Sequence, residues 1–184
     1  MSSLFDGDGQ MFARLLADAS VYGEYGMGAS TLWALANTRV TVQAVDTSVR
    51  WVDEVVSKAT DRTRLHATWV DLGPIGDWGW PKTYARRDRF ANYIQAVWSD
   101  SVKPDVVLID GRFRVCTFLH SLLTGAAGTH ILFDDYADRP WYHVVEDFVA
   151  PVEKHGRQAL FVVPRTFDRE AAALARQHFL YVMN

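Results

Sequence analysis

Six short apolar runs, at 19–23 (ASVYG), 40–45 (VTVQAV), 65–70 (LHATWV), 106–109 (VVLI), 130–133 (HILF) and 159–163 (ALFVV), constrain the fold of this chain more than any other feature. They are rich in β-branched and aromatic residues, and several are apolar throughout rather than alternating. That is the pattern of parallel strands buried on both faces. Between them lie amphipathic stretches of helical spacing. Met11, Phe12, Leu15, Leu16 and Ala19 form one stripe, 31–36 (TLWALA) a second segment, and Val49, Val52, Val55 and Val56 another stripe. Val115, Phe118, Leu119 and Leu122 form the next, and Trp141, Val144, Val145, Phe148, Val149 and Val152 repeat at three and four like a further helix. Segment 168–177 reads as a short last helix, and FLYVMN at 179–184 could supply a seventh strand. Such alternation predicts an α/β Rossmann-like three-layer sandwich: a mostly parallel seven-stranded sheet with an antiparallel C-terminal strand, as one domain over 1–184. The exception is 73–100, a long turn-rich loop carrying Trp78, Trp80 and Pro81 before a helical pattern near 87–98. Long ordered loops are where binding elements sit.

The glycine-rich stretch YGEYGMGAST (22–31) closes the first strand. Gly26-x-Gly28 lacks the third glycine of a dinucleotide fingerprint, since Thr31 holds that position, and no Gly-Lys-Ser/Thr follows for a phosphate loop. Glu24 inside the turn repels an anion but suits an ammonium or sulfonium. Asp46 ends the second run, twenty-two positions after Glu24, and a helix N-cap is its plain use.

Here the chain resembles the class I S-adenosylmethionine-dependent methyltransferases. Glu24-Tyr25-Gly26-Met27-Gly28 matches their first motif, and Ser30-Thr31-Leu32 is similar to the helix start of the small-molecule O-methyltransferase branch. The resemblance implies S-adenosylmethionine as cofactor. It places Glu24, Gly26, Met27, Gly28 and Ser30 in the cofactor loop, Asp46 on the ribose hydroxyls and Asp71 near the adenine amine.

Two further strand ends carry carboxylates: Asp110 in DVVLIDGRFR and Asp134-Asp135 in ILFDDYADRP. Ligands of open α/β sheets bind at the carboxyl ends of the strands, so all three should share a rim with the glycine loop. Three carboxylates together need positive charge among them. One answer is Mg²⁺ held by Asp110, Asp134 and Asp135, as in the metal-dependent O-methyltransferases these stretches resemble; it would lower the pKa of a substrate hydroxyl. The other is arginine pairing through Arg112, Arg114 and Arg139, which leaves an anionic substrate or loop fixation as their purpose. DGRFR with DDYADRP is also similar to a bacterial branch of methyltransferase-like proteins. Asp110, Asp135 and His143 are the candidate catalytic groups, with Tyr136 a spare base. Arg112, Arg114, Trp78 and Trp80 are the candidate substrate contacts, and the two tryptophans could instead wall the adenine.

The rest of the chain narrows the classes. Seven tryptophans are many, but Trp33, Trp51 and Trp98 fall on apolar helix faces and read as core. The histidines show no zinc spacing. Cys116 is alone and lies in an apolar stripe, which excludes an internal disulfide and points to a reducing compartment. The net charge of −3 and scattered basic residues argue against nucleic acid and membrane surfaces. No apolar run spans a bilayer, and MSSLFDGDGQMF lacks a signal-peptide pattern, so a cytoplasmic location is expected. The expected activity is methyl transfer to an oxygen of a small molecule, with a homodimer as one assembly open to it. A non-catalytic binding or interaction module on the same scaffold is the alternative, suggested by how few residues precede the first helix to form a lid. An NAD-dependent oxidoreductase is the least favoured, because of Thr31.

Overall fold

The computed structural model describes residues 4–7 and 9–183. Its seven strands are β1 (Val21–Tyr25), β2 (Thr41–Asp46), β3 (Leu65–Trp69), β4 (Val106–Ile109), β5 (His130–Phe133), β6 (Glu153–His155) and β7 (Gln158–Val162). They form one sheet in the order β3-β2-β1-β4-β5-β7-β6, with β7 antiparallel to β5. The helices are α1 (Gln10–Ala17), α2 (Ala29–Asn37), α3 (Val49–Lys58), α4 (Phe90–Ala96), α5 (Arg114–Thr124) and α6 (Arg169–Phe179).

In the inner strands β1, β2, β4, β5 and β7 the side chains alternate between two cores. Tyr22, Val42, Ala44, Leu108 and Leu132 pack against α1, α2 and α3, with Phe12, Leu35 and Val55 among their partners. Tyr25, Val45, Ile109, Phe133 and Phe161 pack against the other layer, with Ile94, Phe118 and Ala172. Burial on both faces is why these runs carry no polar alternation. Glu24 is the exception, a carboxylate on the Tyr22 side of a fully buried strand. Cys116 lies in the second core, and burial pushes its thiol up to about 12.

Three local expectations need correction. FLYVMN is no strand: α6 runs to Phe179, and the carbonyl of Tyr181 accepts a bond from Tyr84 Oη at 3.1 Å; Asn184 lies outside the described residues. The seventh strand is instead β6, which pairs with β7 through a turn at Gly156 (φ +52°). Its sequence, EKH, has no apolar pattern, as suits an edge strand protected by charge. The periodic segment from Trp141 forms a 3₁₀ helix only over Pro140–Asp147, which buries Tyr142 and Val145 but leaves Trp141 exposed; Val152, beyond its end, is exposed too. A spacing of three satisfies 3₁₀ as well as α periodicity. Trp51 is not core either. It and Val49 stand in the first turn of α3 and are exposed, while Val52 and Val55 carry the buried face.

The strand order reverses between β1 and β4, where Tyr25 pairs with Ile109. At such a switch point the two flanking loops diverge to opposite layers and open a crevice. No helix among the described residues is long and apolar enough to cross a membrane.

Candidate active site at the strand switch point

The glycine loop is fixed from below. Glu24 is fully buried at the end of β1, and its carboxylate accepts from the hydroxyls of Ser30 and of Thr31 (2.5 Å), in the first turn of α2. Thr31 Oγ1 in turn accepts from the Gly28 N–H at 2.9 Å. Desolvation by burial raises the Glu24 carboxyl to about 7, against the lowering effect of those hydroxyls. Glu24 and Ser30 therefore hold the loop in shape from within rather than lining its outer surface. Met27 divides likewise: its side chain is in the core beside α1–α3, while its N–H donates to Asp46 Oδ2 at 3.1 Å and its carbonyl accepts from the Trp51 indole.

The two loop glycines differ in what they require. Gly26 has φ +88°, and a Cβ there would lie 2.8 Å from the Asp110 carbonyl oxygen and 2.9 Å from Gly111 Cα. Gly111 faces it in the same way: its own Cβ would meet the Gly26 nitrogen at 2.8 Å. The β1 and β4 loops thus touch backbone to backbone. A Cβ on Gly28 would meet only Trp51, at 3.8 Å. Gly26→Ala is expected to cost about 2 kcal/mol from left-handed strain and overpacking, and Gly28→Ala about 1 kcal/mol or less. Urea unfolding of the two variants checks this; equal costs would contradict the close approach.

Asp46 sits at the end of β2, half-buried, with Oδ1 accepting from Ser48 N–H (2.8 Å) and Oδ2 from Met27 N–H (3.1 Å). Burial raises its carboxyl, and Arg112 partly offsets this. Asp71 accepts from Gly73 N–H (2.9 Å) and pairs with Arg89 (3.1 Å) and Arg86 (3.7 Å), so it fastens the long loop. That loop returns to the β2 end, where Thr47 Oγ1 donates to the Gly79 carbonyl at 2.8 Å. Trp78, at φ +56°, is almost wholly exposed; Trp80 is less so and lies 5.6 Å from the Arg112 guanidinium carbon.

The carboxylates of Asp110, Asp134 and Asp135 come within 4.8 Å of one another, as the strand ends imply. Arginines fill the space between them. Asp134 is fully buried and accepts from Arg157 Nε (3.0 Å) and Nη2 (2.5 Å) and from Gln158 Nε2 (2.9 Å). Asp135, at φ +55°, pairs with Arg139 (2.8 Å) and Arg114 (3.2 Å), and Asp110 with Arg114 (3.0 Å). Three guanidiniums balance three carboxylates, and a dication placed among them would face their repulsion. This donor set does not fit Mg²⁺. Arg114 is also corrected as a substrate contact: its side chain is 4% exposed and bonds the Gly111 and Asp134 carbonyls, tying the β4 and β5 loops together. Asp110 keeps 29% of its side chain exposed. Desolvation is the main cause that raises its carboxyl, against the pull of Arg114. His143 Nε2 lies 3.1 Å from the Tyr136 carbonyl, and its ring packs beside the Tyr136 ring.

Gly111, Tyr93 and Arg157 belong to this rim without having been singled out in the sequence. Asp-Gly after an apolar run could have marked Gly111. Tyr93, whose hydroxyl accepts from Arg112 N–H at 3.1 Å, lies in an ordinary helical stripe. Arg157 follows a turn on the far side of β5 and carries no motif.

Neither a protein-family profile nor a curated protein sequence matches the chain. Solved structures do. A methyltransferase-like protein, SPO2022 of Silicibacter pomeroyi DSS-3, is 32% identical over 94% of this chain and 92% of that one, with a TM-score of 0.82. The N-methyltransferase NodS of Bradyrhizobium japonicum WM9, in complex with S-adenosyl-L-homocysteine, aligns over 89% of this chain and 90% of its own at 15% identity and TM-score 0.53. The C-terminal domain of precorrin-6Y C5,15-methyltransferase of Rhodobacter capsulatus aligns over 88% and 94% at 13% identity and TM-score 0.52. The last two share the fold. With the sheet order, the switch-point loop and the SPO2022 likeness together, the chain belongs to the methyltransferase-like proteins.

Proposed function

We propose that this protein transfers a methyl group from S-adenosylmethionine to an oxygen of a small molecule. The observation that carries the reading is Asp46 beside the glycine loop. Each carboxylate oxygen uses one lone pair on a backbone N–H, from Met27 or Ser48, and keeps another for a ribose hydroxyl. NodS, on the same fold, is a structure with S-adenosylhomocysteine, and this supports the cofactor. Gly26 and Gly28 give the loop its bare backbone, Glu24 and Ser30 set its shape, and Asp71 fixes the segment that closes the adenine side.

The cofactor supplies a methyl group on a sulfonium, open to attack by a nucleophilic oxygen. The chain must orient the acceptor hydroxyl and take its proton. Asp110 suits the second task. It is partly exposed at the switch point, and burial raises its carboxyl towards neutrality, where a base is most effective. Asp135 and His143 then act as positioning groups, Asp135 by holding Arg139 and Arg114, His143 by packing on the β5 loop. Trp78 and Trp80 offer exposed ring faces beside the same rim.

Titration calorimetry with S-adenosylhomocysteine tests the reading. Binding is expected, and Asp46→Ala should weaken it by about tenfold or more, the loss of hydrogen bonds to a charged group. Folded protein that gives no binding, or equal binding by Asp46→Ala, would overturn it.

A further inference from the structure

We infer that Arg112, backed by Trp80, is the site for an oxyanion, a carboxylate or a phosphate, carried by the methyl acceptor. The inference rests on the reading of the rim as a methyl-transfer site and names the substrate class for it.

The other arginines around this rim are paired with carboxylates. Arg86 and Arg89 pair with Asp71, Arg114 with Asp110 and Asp135, Arg139 with Asp135, and Arg157 with Asp134. Arg112 breaks the pattern. Among the described residues its guanidinium has no carboxylate at ion-pair distance, and its Nε is buried with no hydrogen-bond partner. Buried donors are nearly always satisfied, so this guanidinium calls for a partner, and its Nη groups, unbonded and not buried, are the donors that an outside anion can reach. Its backbone N–H donates to the Tyr93 hydroxyl, and its guanidinium carbon lies over the Trp80 ring, 5.6 Å from the centroid, so the group is positioned before any ligand arrives. A cation–π contact leaves the N–H donors of a guanidinium unused, and their fork matches two oxygens of one anion.

Position assigns this anion to the acceptor. Arg112 is one residue beyond Gly111, which touches Gly26 of the cofactor loop, and Trp80 stands on the loop that returns to Thr47 at the end of β2. The guanidinium therefore lies at the rim where the β1 and β4 loops meet. Nearby Arg114 adds positive field there: desolvation first and then Arg114 lower the pKa of Arg112, against the opposite pull of Tyr93, Tyr142 and Asp110. An acceptor anchored by its anion at Arg112 with a ring on Trp80 would place a hydroxyl towards Asp110.

The test follows the side-chain Nε–H resonance of Arg112 in ¹⁵N-labelled protein, assigned by its absence in R112K. Benzoate and phenyl phosphate serve as the anionic ring probes and benzamide as the uncharged one, each with and without saturating S-adenosylhomocysteine. Benzoate or phenyl phosphate, but not benzamide, should shift the resonance with the second ligand bound, and the tighter of the two names the carboxylate or the phosphate. R112A should weaken that probe by about tenfold, R112K by less, with S-adenosylhomocysteine affinity unchanged in both. Equal affinity in R112A and R112K, or an equal response to benzamide, would overturn the proposal. So would competition between the anion and S-adenosylhomocysteine, which would assign Arg112 to the cofactor's own carboxylate. Failure of S-adenosylhomocysteine to bind would instead fall on the methyl-transfer reading, since the anion titration of the free protein still reports on Arg112.

Discussion

Arg157→Ala should cost about 3 kcal/mol of folding stability, the lower end of what removing one partner of a buried ion pair takes. Asp134 is the reason. Its carboxylate is 0% exposed, and Arg157 contacts both of its oxygens, leaving Gln158 as the remaining side-chain donor when the guanidinium goes. The 30% exposure of Arg157 keeps the figure at the low end, because water can enter the space it leaves. The outward bond to Asp6, an 83%-exposed residue, adds little. Adding Asp134→Asn to Arg157→Ala removes the stranded charge and should recover much of the loss. Urea unfolding of the two single variants and the double variant measures the coupling. A loss below about 1 kcal/mol for Arg157→Ala would mean that the pair behaves as a surface bridge.

The same pair shows where sequence reading stops. Asp134 is conspicuous in ILFDDYADRP because an apolar strand ends on it, and Asp110 stands out for the same reason. Both follow from the two-sided burial of β4 and β5, which makes strand ends easy to see. Their counter-charges are another matter. Arg157 reaches Asp134 only because β7 runs antiparallel beside β5, and β6 before it has a charged edge sequence with no period to betray it. So carboxylates in search of a cation read equally as metal ligands or as arginine partners. Trp51 failed for a different reason. Periodicity says which face of a helix is apolar, not how far its neighbours cover that face, and in the first turn of α3 Trp51 and Val49 stay exposed, the Trp51 indole donating to the Met27 carbonyl. Glu24, Gly26 and Asp46 were legible because a turn between β1 and α2 and the end of β2 are fixed by local chain geometry.

Glu24→Gln should flatten the dependence of stability on pH between about 4.5 and 7. The folded-state carboxyl is raised from 4.5 to about 7 by desolvation, so the native state holds its proton more tightly than the unfolded chain does. The sign follows directly. Stability from this group is fully present below the unfolded pKa and is lost as pH rises through the folded one. The span amounts to about 3 kcal/mol, at roughly 1.4 kcal/mol per unit. Glutamine keeps the shape and never ionises. Its carbonyl can accept from the Thr31 hydroxyl, which is already engaged with Gly28 N–H, and its amide can donate to Ser30, whose hydroxyl is free to rotate. Wild type and variant should therefore match near pH 4, with the variant more stable by up to about 3 kcal/mol near pH 8. Asp110, raised in the same direction, is present in both proteins, so the difference between the two curves isolates Glu24. Parallel curves from chemical denaturation across that range would show that Glu24 is ionised in the fold. A buried carboxylate under the loop would then be an ordinary anchor for Ser30 and Thr31, and not a group whose charge the surroundings control.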